Sequence, residues 1–244
     1  PIEPSRPRYD MHCHLLPGVD DGCASEDETF ACIEGMIELG YRGAVLTPHI
    51  WQEVFPNEES ELRGRFDALR PRVAERFPDF AMRLGAEYML DEFLMGKVQD
   101  EPERLLRFGP GERYILVELP VQMIPVMLDE FISTAVSRGL TPIIAHIERY
   151  SYVQEDEEHA LVERWSSRQA SLQVNLASLS GTYGKACQKT ADRLINTEMI
   201  HFLGSDLHGP GQLGGQRYIN AWNTVEQLPG CYDADTQQSL VVEA

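Results

Sequence analysis

Residues 10–22 read DMHCHLLPGVDDG, a run that brings two histidines and two adjacent aspartates close together in the chain. If residues 9–12 form a strand, His12 and His14 project to the same side, because alternate side chains of a strand share a face. Imidazole and carboxylate groups bind divalent metals and leave coordination positions for water or substrate. The run therefore predicts a metal site at the end of a strand, with a chance His-x-His on a loop as the alternative.

The composition is that of an ordinary globular domain with a strongly acidic balance. The 244 residues are 43% hydrophobic and 25% charged, which is typical of a single α/β domain. The formal net charge of −18 argues against nucleic acid or an anionic membrane as a partner, because both require a basic face. A phosphorylated substrate would be repelled unless metal ions neutralised the site.

Cysteine usage and hydropathy favour a cytoplasmic protein. The five cysteines form an odd set without paired CxxC spacing, which favours free thiols over a disulfide framework. No apolar run approaches the roughly 20 residues of a membrane span, so no membrane insertion is predicted. We predict a flexible lead-in at residues 1–8 and a single catalytic domain at residues 9–244, and the sequence leaves oligomerisation open.

Strand and helix patterns alternate along most of the chain. Strands are predicted at residues 9–12, 43–47, 82–88, 114–120, 141–145, 172–176 and 200–204. Helices are predicted at residues 26–39, 58–77, 124–138, 156–169, 184–197 and 216–227, followed by a polar tail. About seven such repeats predict an α/β fold of parallel strands with right-handed crossovers and outer helices.

Titratable residues recur where these strands end. The candidate ligands at or just past strand ends are His12, His14, His49, Glu87, Glu118, His146, Asp206 and His208, and Asp21 lies in the first such loop. In folds of this kind the chemistry gathers at the carboxyl ends of the strands. Five of the seven histidines belong to this set, which scattered surface histidines would not produce.

In this order, the motifs resemble the PHP (polymerase and histidinol phosphatase) superfamily. More narrowly, they are similar to bacterial manganese-dependent protein-tyrosine phosphatases of capsular and exopolysaccharide systems. Besides residues 10–22, the matching motifs are Thr47-Pro48-His49, Gly85-Ala86-Glu87, Glu118-Leu119-Pro120, Ala145-His146-Ile147-Glu148-Arg149-Tyr150 and Gly204-Ser205-Asp206-Leu207-His208. The resemblance covers roughly residues 9–210 and implies a distorted (β/α)7 barrel of the PHP type.

The resemblance also implies a site for three divalent ions. One ion would be held by His12, His14, Glu87 and Asp206; a second by Glu87 as a bridging ligand with Glu118 and His146; and a third by Asp21, His49 and His208. Manganese is the expected metal, although the donor chemistry leaves iron, cobalt and zinc open.

The implied reaction is hydrolysis of phosphotyrosine in a protein. A metal-bridging hydroxide would attack phosphorus in line, with no covalent phosphoenzyme. Arg149 would clamp the phosphoryl oxygens through its planar fork, and Glu87 would be the bridging carboxylate. The general acid would be His208 or a metal-bound water. The implied partner is the tail of a tyrosine kinase that controls polysaccharide export.

Two other functions stay open at this point. A phosphoesterase with the same metals could act on a small phosphomonoester such as histidinol phosphate, which predicts a deeper and more cationic pocket. A non-catalytic regulator could keep the site for binding. The phosphatases in this family often carry a second basic residue soon after Asp206-Leu-His208, whereas the first basic residue here is Arg217.

Three further features carry weaker expectations. Cys187 and Arg193 have the Cys-x5-Arg spacing of thiol-dependent tyrosine phosphatases, but the run holds no glycine and is predicted to be helical. Trp51 and Phe55 line a pocket for a phenyl ring, pack their own loop or form an oligomer contact. Met123 and its neighbours Met127 and Leu128 are predicted to be core residues.

Overall fold

The computed structural model describes residues 7–197, 199–213, 216–226 and 234–242. The strands in these ranges are β1 (Arg8–Cys13), β2 (Tyr41–Leu46), β3 (His49–Ile50), β4 (Ala81–Leu84), β5 (Glu87–Met89), β6 (Tyr114–Glu118), β7 (Thr141–Ile144), β8 (Ser171–Asn175) and β9 (Phe202–Gly204). The α-helices there are α1 (Glu26–Glu38), α2 (Glu59–Arg76), α3 (Glu92–Asp100), α4 (Leu128–Ser137), α5 (Ser151–Gln154), α6 (Ala160–Ser167), α7 (Lys185–Ile195), α8 (Pro210–Leu213), α9 (Gln216–Glu226) and α10 (Ala234–Val242). Within these ranges, no helix is long and apolar enough to cross a membrane.

Seven strand positions form a curled parallel sheet. β1, β2 and β4 pair in that order, and β3, β5, β6, β7, β8 and β9 pair in a second row. The two rows are continuous, because Gly85 N–H donates to the carbonyl of Leu46 and Glu87 N–H donates to that of Pro48. β2 and β3 are therefore one interrupted strand position, and β4 and β5 are another.

The ring is closed by the chain that follows β9. Asp206 N–H donates to the carbonyl of His12 at 2.9 Å, and His14 N–H donates to that of Leu207 at 2.8 Å. Gly204 permits this approach, since a Cβ there would lie 2.8 Å from the Cβ of His12. The predicted distorted (β/α)7 barrel is confirmed, and its last strand delivers Asp206 beside the first.

Local signals explain where the first helix begins and ends. Ser25 Oγ accepts from Glu28 N–H at 3.3 Å, while the Glu28 carboxylate accepts from Ala24 N–H at 2.8 Å. This reciprocal cap satisfies two donors that the helix would otherwise leave unpaired. Gly40, with a φ of +90°, turns the chain into β2 directly after α1. The predicted helix at residues 26–39 thus differs from α1 by one residue.

The helix that closes the amino end of the barrel lies where we predicted a polar tail. Leu240 and Val241 of α10 are buried against β1, β2 and β4. They belong to an apolar cluster that also contains Met11, Leu116 and Phe202. The tail prediction was wrong because Leu240 and Val241 belong to a short apolar run, residues 240–242, in a mostly polar segment, and their burial depends on where the barrel opens.

Other boundaries moved for identifiable reasons. The predicted strand at 82–88 breaks at Gly85, where an added Cβ would lie 2.7 Å from the Phe108 ring. The predicted helix at 124–138 begins only at Leu128, and Met123 in the preceding loop is 68% exposed, so its prediction as core was wrong. Leu128 is buried, as predicted. Helix α3 was missed altogether.

Two predicted boundaries, the end of the lead-in at residue 8 and the start of the helix at residue 156, differ from those in the structure. Of the predicted lead-in at residues 1–8, only Pro7 and Arg8 are described, and Arg8 already belongs to β1. The predicted helix at 156–169 begins at Ala160, since His159 adopts a left-handed conformation with φ +61°. Residues 156–159, which we predicted as the first turn of this helix, form a turn outside the helix.

Candidate metal centre

The carboxyl ends of the strands bring four ligand atoms into one buried group. His12 Nε2 lies 3.2 Å from His14 Nε2 and 3.1 Å from a Glu87 carboxylate oxygen. The same two ring nitrogens each lie 3.4 Å from Asp206 Oδ1. All four side chains are buried. These are the four residues that the sequence assigned to the first ion.

The spacing of these atoms fits a metal ion. Neighbouring ligand atoms bound about 2.0–2.2 Å from one octahedral or tetrahedral ion lie about 2.8–3.6 Å from one another, by simple geometry. The observed separations of 3.1–3.4 Å fall in that range. Two buried carboxylates facing two imidazoles are also the donor set that a divalent cation stabilises. The residues therefore fit the ion that the sequence implies.

A second group of candidate ligands forms around the carboxylates of Glu87 and Glu118. His146 Nε2 lies 2.9 Å from Glu87 Oε1 and 3.7 Å from Glu118 Oε1. His49 Nδ1 lies 3.4 Å from Glu87 Oε2 and 3.8 Å from Glu118 Oε2. Glu87 thus stands between the two groups, as a bridging carboxylate must. His49, which the sequence assigned to the third ion only, faces the second group as well.

The third group lies nearest to solvent. Asp21 Oδ1 lies 3.6 Å from His49 Nε2 and 3.5 Å from His208 Nε2, and Asp21 is 56% exposed on its side chain. The His208 ring stacks on that of His14 at a centroid distance of 4.0 Å. Asp21, His49, His208 and His14 therefore offer one ligand atom each within 4.8 Å of one another.

Asp20 has a different task from its neighbour. Its carboxylate accepts from His14 Nδ1 at 2.9 Å and from the backbone N–H groups of Gly22 and His49. Because a carboxylate accepts, His14 carries its proton on Nδ1 and turns Nε2 toward the buried group. This carboxylate–histidine pairing orients a metal ligand. Asp21 was among the candidate ligands predicted from the sequence, whereas Asp20 was given no role.

An amide chain on β8 orients two more ligands. Gln173 Oε1 accepts from the backbone N–H of His146 at 2.8 Å and lies 3.2 Å from His12 Nδ1. Gln173 Nε2 donates to Asn175 Oδ1, and Asn175 Nδ2 donates to Asp206 Oδ2, both at 2.8 Å. The backbone N–H of His146 can only donate and the carboxylate of Asp206 can only accept. Together they fix which end of each amide carries the oxygen and which the nitrogen. His12 Nδ1 therefore donates, which directs Nε2 to the metal group.

Sequence reasoning missed this pair, although a signal existed. Leu172, Gln173, Val174 and Asn175 alternate between apolar and polar side chains on a strand that is buried throughout. Two buried amides on one face of such a strand must find partners. Neither amide was among the predicted site residues.

Asp10 supports the candidate site through hydrogen bonds to His12 and Ser205. Its carboxylate accepts from the N–H groups of His12 and Ser205, and from the Ser205 hydroxyl. Burial raises the pKa of Asp10 to about 6, against the lowering effect of the Ser205 hydrogen bonds. Asp10 thus ties β1 to the turn that carries Asp206, which has a left-handed φ of +53°.

Burial and mutual charge shift the pKa values of the ligands in opposite directions. Burial alone would lower the pKa of His12, but Glu87 and Asp206 outweigh it and raise the pKa to about 9. Burial would raise the pKa of Glu87, but the charge of His12 and hydrogen bonds from three histidines hold it well below its ordinary value. Burial, followed by repulsion from Glu87, raises the pKa of Glu118 to about 8. Glu118 is thus the carboxylate that most needs a cation.

Arg149 is the cation beside these groups. Its Nη1 lies 2.9 Å from Asp206 Oδ2, and its guanidinium covers the Tyr183 ring at 4.8 Å. The guanidinium plane is therefore held by an ion pair and an aromatic face. Tyr183 was not identified from the sequence.

A cavity of about 340 Å³ opens over the three groups of candidate ligands. Asp21, His49, Glu87, Glu118, His146, Asp206 and His208 line it, together with Arg149, Trp51, Phe55, Tyr183 and Gln212. Phe55 stacks on the His49 ring at 5.2 Å, so Trp51 and Phe55 form an aromatic wall beside the metal groups. Among the described side chains of this lining, Arg149 is the single guanidinium or ammonium group.

The thiol-dependent alternative finds no support in the geometry. Cys187 lies inside α7 and is buried, and burial raises the pKa of its thiol. Arg193 donates to the carbonyl of Val153 instead of facing the thiol. Cys13 is buried and its Sγ donates to the carbonyl of Val45, as expected for an inert thiol. The side chain of Arg217 lies outside those that the structure describes.

Sequence comparison identifies relatives over most of the chain. A family model described as capsular polysaccharide synthesis, CpsB/CapC, matches residues 8–241. The tyrosine-protein phosphatase YwqE of Bacillus subtilis is 30% identical over 200 residues, which cover 82% of this chain and 76% of that protein. The tyrosine-protein phosphatase CpsB of Streptococcus pneumoniae is 28% identical over 204 residues, covering 82% of each.

Structural comparison supports the same fold. A chain from the crystal structures of YwqE from B. subtilis and CpsB from S. pneumoniae, described as metal-dependent tyrosine phosphatases, matches with a TM-score of 0.74. It is 23% identical, and the match covers 97% of this chain and 100% of that chain. Histidinol phosphate phosphatase from Lactococcus lactis, solved with zinc, L-histidinol and phosphate, matches with a TM-score of 0.59 at 14% identity, covering 91% and 94%.

Proposed function

The chain belongs to the CpsB/CapC family of capsular polysaccharide synthesis, and from that premise we propose that it hydrolyses phosphotyrosine in a partner protein. The observation that carries the proposal is the position of Arg149 and an aromatic wall beside three adjoining groups of metal ligands. The cations would bind the phosphoryl group, and the side chains of Trp51 and Phe55 would contact the tyrosine ring.

We propose that the nine ligands predicted from the sequence hold three divalent ions, manganese first. The groupings support this proposal, with His12, His14, Glu87 and Asp206 around one ion and Asp21, His49 and His208 around another. Glu87, Glu118 and His146 would hold the ion between them. When bound, the ions would polarise the phosphoryl oxygens and lower the pKa of a coordinated water toward about 7, which supplies the hydroxide that attacks phosphorus.

The chain's own residues then orient the ester. Arg149 lines the cavity and would donate hydrogen bonds to the phosphoryl oxygens, while Tyr183 keeps the guanidinium plane in place. Charge that develops on the phosphoryl oxygens in the transition state would strengthen these hydrogen bonds. We therefore assign Arg149 to phosphate binding.

His208 serves better as a ligand than as an acid. Its Nδ1 lies 2.9 Å from the carbonyl of Asp206, which can only accept, so Nδ1 carries the proton. In the neutral ring, Nε2 then presents a lone pair toward Asp21. A phenolate with a pKa of about 10 leaves without strong acid assistance, so the reaction does not need His208 as the general acid.

The shape of the cavity favours a phenyl ester over a small polar phosphomonoester. Trp51, Phe55 and Tyr183 line its rim, whereas Arg149 is the single cationic side chain among the described residues that line it. An amino alcohol such as histidinol phosphate would gain little from these rings. A tyrosine side chain that extends from a protein tail would pass between them.

The physiological partner that we propose is the tail of a tyrosine kinase in polysaccharide export. The family description, capsular polysaccharide synthesis, supports this proposal. A cytoplasmic location belongs to the same proposal and is supported by four unpaired thiols, Cys13, Cys23, Cys32 and Cys187.

The experiment is phosphate release from a phosphotyrosine peptide and from histidinol phosphate, using chelator-stripped protein with Mn²⁺ added back. We expect manganese-dependent release from the peptide and a much lower kcat/KM for histidinol phosphate. Arg149→Lys should raise KM and lower kcat, because a point charge cannot replace the planar fork.

One control variant and two alternative outcomes make the experiment decisive. A Cys187→Ser variant should match the unmodified protein, and activity that survives chelation but disappears in this variant would refute the proposal. Preference for histidinol phosphate would assign the same metals to a small phosphomonoester. A protein that binds Mn²⁺ but hydrolyses neither substrate would be a non-catalytic regulator.

A further inference from the structure

Exposed apolar side chains are distributed unevenly over the barrel. Among the described residues, the large hydrophobic side chains that are exposed are Val54, Val121, Met123, Ile124, Val126 and Val242. All but Val242 lie on loops that follow the carboxyl ends of β3 and β6, whereas Val242 lies on α10 at the amino end. The exposed apolar surface is therefore concentrated on the side of the barrel that carries the candidate ligands.

Four of these side chains belong to one loop, residues 121–126, between β6 and α4. Met123 is 68% exposed and Val126 is fully exposed. No charged residue occurs at residues 119–128, in a chain that is 25% charged. Contiguous apolar surface of this kind marks an interaction site on a folded protein, because its contact with water is unfavourable until a partner covers it.

The loop is anchored at both ends. The carbonyl of Val121 accepts hydrogen bonds from the backbone N–H of Ser151 at 3.0 Å and from its hydroxyl at 3.1 Å. At the other end, Leu128 is buried, and its N–H donates to the carbonyl of Pro125 at 3.0 Å. A loop that is already held in place loses little conformational entropy when a ligand binds.

The loop begins beside the cavity over the candidate ligands. Glu118, which lines this cavity, is three residues before Val121, and Arg149, which also lines it, is two residues before Ser151. An extended chain covers about 3.3–3.6 Å per residue, so the loop begins within roughly 11 Å of the cavity lining. A substrate segment that leaves the cavity would cover the same distance in two or three residues.

We propose that residues 121–126 bind the part of the substrate protein beside the phosphotyrosine and select a large apolar side chain two or three residues from it. This inference rests on the proposed function, because it places the flanking segment of a substrate whose phosphotyrosine occupies the cavity. The loop offers Met123, Ile124 and Val126 but no charge, so a charged flanking side chain would gain no ion pair there. The unbranched side chain of Met123 can adapt to different apolar partners.

The net charge of the protein disfavours two other occupants of the loop. Two copies of a chain with a net charge of −18 repel each other at long range, and so do this chain and an anionic membrane. A substrate segment that is neutral and apolar beside its phosphotyrosine avoids this repulsion.

The test compares phosphate release from free phosphotyrosine and from three phosphotyrosine peptides, using protein loaded with Mn²⁺. One peptide has serine at all flanking positions, another has leucine two and three residues before the phosphotyrosine, and the last has leucine two and three residues after it. We expect one leucine peptide to show a kcat/KM about tenfold above that of the serine peptide. The gain should lie in KM with kcat unchanged, since contacts remote from phosphorus are equally strong in the ground state and the transition state.

A double variant, Met123→Ser with Val126→Ser, should abolish this preference. Both side chains are exposed, so the variant should fold, which circular dichroism and thermal unfolding would check. Its kcat/KM for free phosphotyrosine should stay within about twofold of that of the unmodified protein, because this substrate has no flanking segment. Val242→Ser, at an exposed valine on the opposite end of the barrel, should leave the preference within about twofold.

The possible failures are distinguishable. Equal kcat/KM for the three peptides, or a preference that survives in the double variant, would overturn this inference alone if free phosphotyrosine is still hydrolysed. Hydrolysis of none of the four substrates would refute the proposed function and this inference with it. Light scattering after size exclusion covers the remaining occupant, since a smaller oligomer in the double variant than in the unmodified protein would assign the loop to a second copy of the chain and overturn the proposal.

Discussion

The two ends of the barrel bury opposite kinds of side chain. At the carboxyl ends of the strands, His12, Glu87 and Asp206 lie with their charged groups facing one another. At the amino ends, Phe202 meets Tyr114 edge to face at 6.0 Å, and Leu240 packs in the same apolar cluster. Burial of charge costs stability unless a partner compensates, whereas burial of apolar surface supplies it.

This comparison teaches that one set of strands separates stability from chemistry. Substitutions at the carboxyl end should impair metal binding and turnover while the barrel remains folded. Substitutions at the amino end should impair stability while each folded molecule remains active. The following predictions test this division, from the largest expected effect to the smallest.

Glu87→Gln should have the largest effect. Its carboxylate contacts ligands of both inner groups, so its loss should lower kcat on a phosphotyrosine peptide by roughly a thousandfold. Circular dichroism and thermal unfolding of the chelated proteins should show a folded barrel. An active variant would refute the bridging role.

The matched control is Glu148→Gln, another fully buried carboxylate near the site. Glu148 Oε1 accepts from Asn175 N–H and Ser178 Oγ, and a glutamine oxygen can accept both bonds. We expect kcat to change by less than about threefold. An equal loss of kcat in both variants would mean that activity depends on any buried carboxylate near the site. It would refute a bridging role specific to Glu87.

Leu240→Ala should break the amino end. Leu240 is fully buried, so truncation should lower the free energy of unfolding by about 2–5 kcal/mol. Urea unfolding measures this loss, and kcat per folded molecule should stay unchanged at a temperature well below the transition. Val242→Ala, at a 43% exposed neighbour, should cost less than about 0.5 kcal/mol. A fall in kcat with Leu240→Ala would contradict the division between the two ends.

Gln173→Leu should sharpen the comparison at the carboxyl end. It removes the acceptor that directs His12 and the donor to Asn175, so Mn²⁺ affinity should fall by about 10–100-fold. Isothermal titration of chelator-stripped protein measures the change. Gln188→Leu, a half-buried glutamine bonded to the carbonyl of Leu179, should leave the affinity within about threefold. Unchanged affinity with Gln173→Leu would reduce the amide chain to a packing role.

The pH dependence of chelated protein should give the smallest effect. Burial lowers the pKa of His12, but Glu87 and Asp206 outweigh it and raise the pKa from 6.5 to about 9, so the contribution of His12 to stability is present below pH 6.5 and lost as pH rises through 9. The pKa of Glu118 rises from 4.5 to about 8 through burial, and its contribution is likewise lost as pH rises through 8. The folded protein binds more protons than the unfolded chain throughout this window. Melting temperature should therefore fall between pH 7 and 9, by about 2–4 °C for each kcal/mol lost.

Metal should reverse this trend. Ligands must lose their protons to bind Mn²⁺, so the stabilisation that Mn²⁺ adds should grow over the same pH window. Differential scanning fluorimetry with and without Mn²⁺ measures both curves. A metal-induced gain that shrinks from pH 7 to 9 would contradict the assignment of His12 and Glu118 as ligands.

The sequence by itself determined the fold class and the membership of the candidate site. The alternation of strand and helix, with His or acidic residues after strands, predicted a parallel barrel because the carboxyl ends of such strands meet at one edge. All nine predicted ligands lie together in the structure, and the residues that orient them do not follow from strand ends. Gln173, Tyr183 and the role of Asp20 depend on distances between elements far apart in the chain.

Only the tertiary structure decided which groups of candidate ligands share a residue and which helix closes the barrel. His49 faces two groups at once because β3 pairs with β5, a register that local pattern does not specify. α10 joined the core because the amino end of the barrel exposes an apolar opening that Leu240 and Val241 fill. Local propensity records what a segment can form, whereas burial and partner choice belong to the whole molecule.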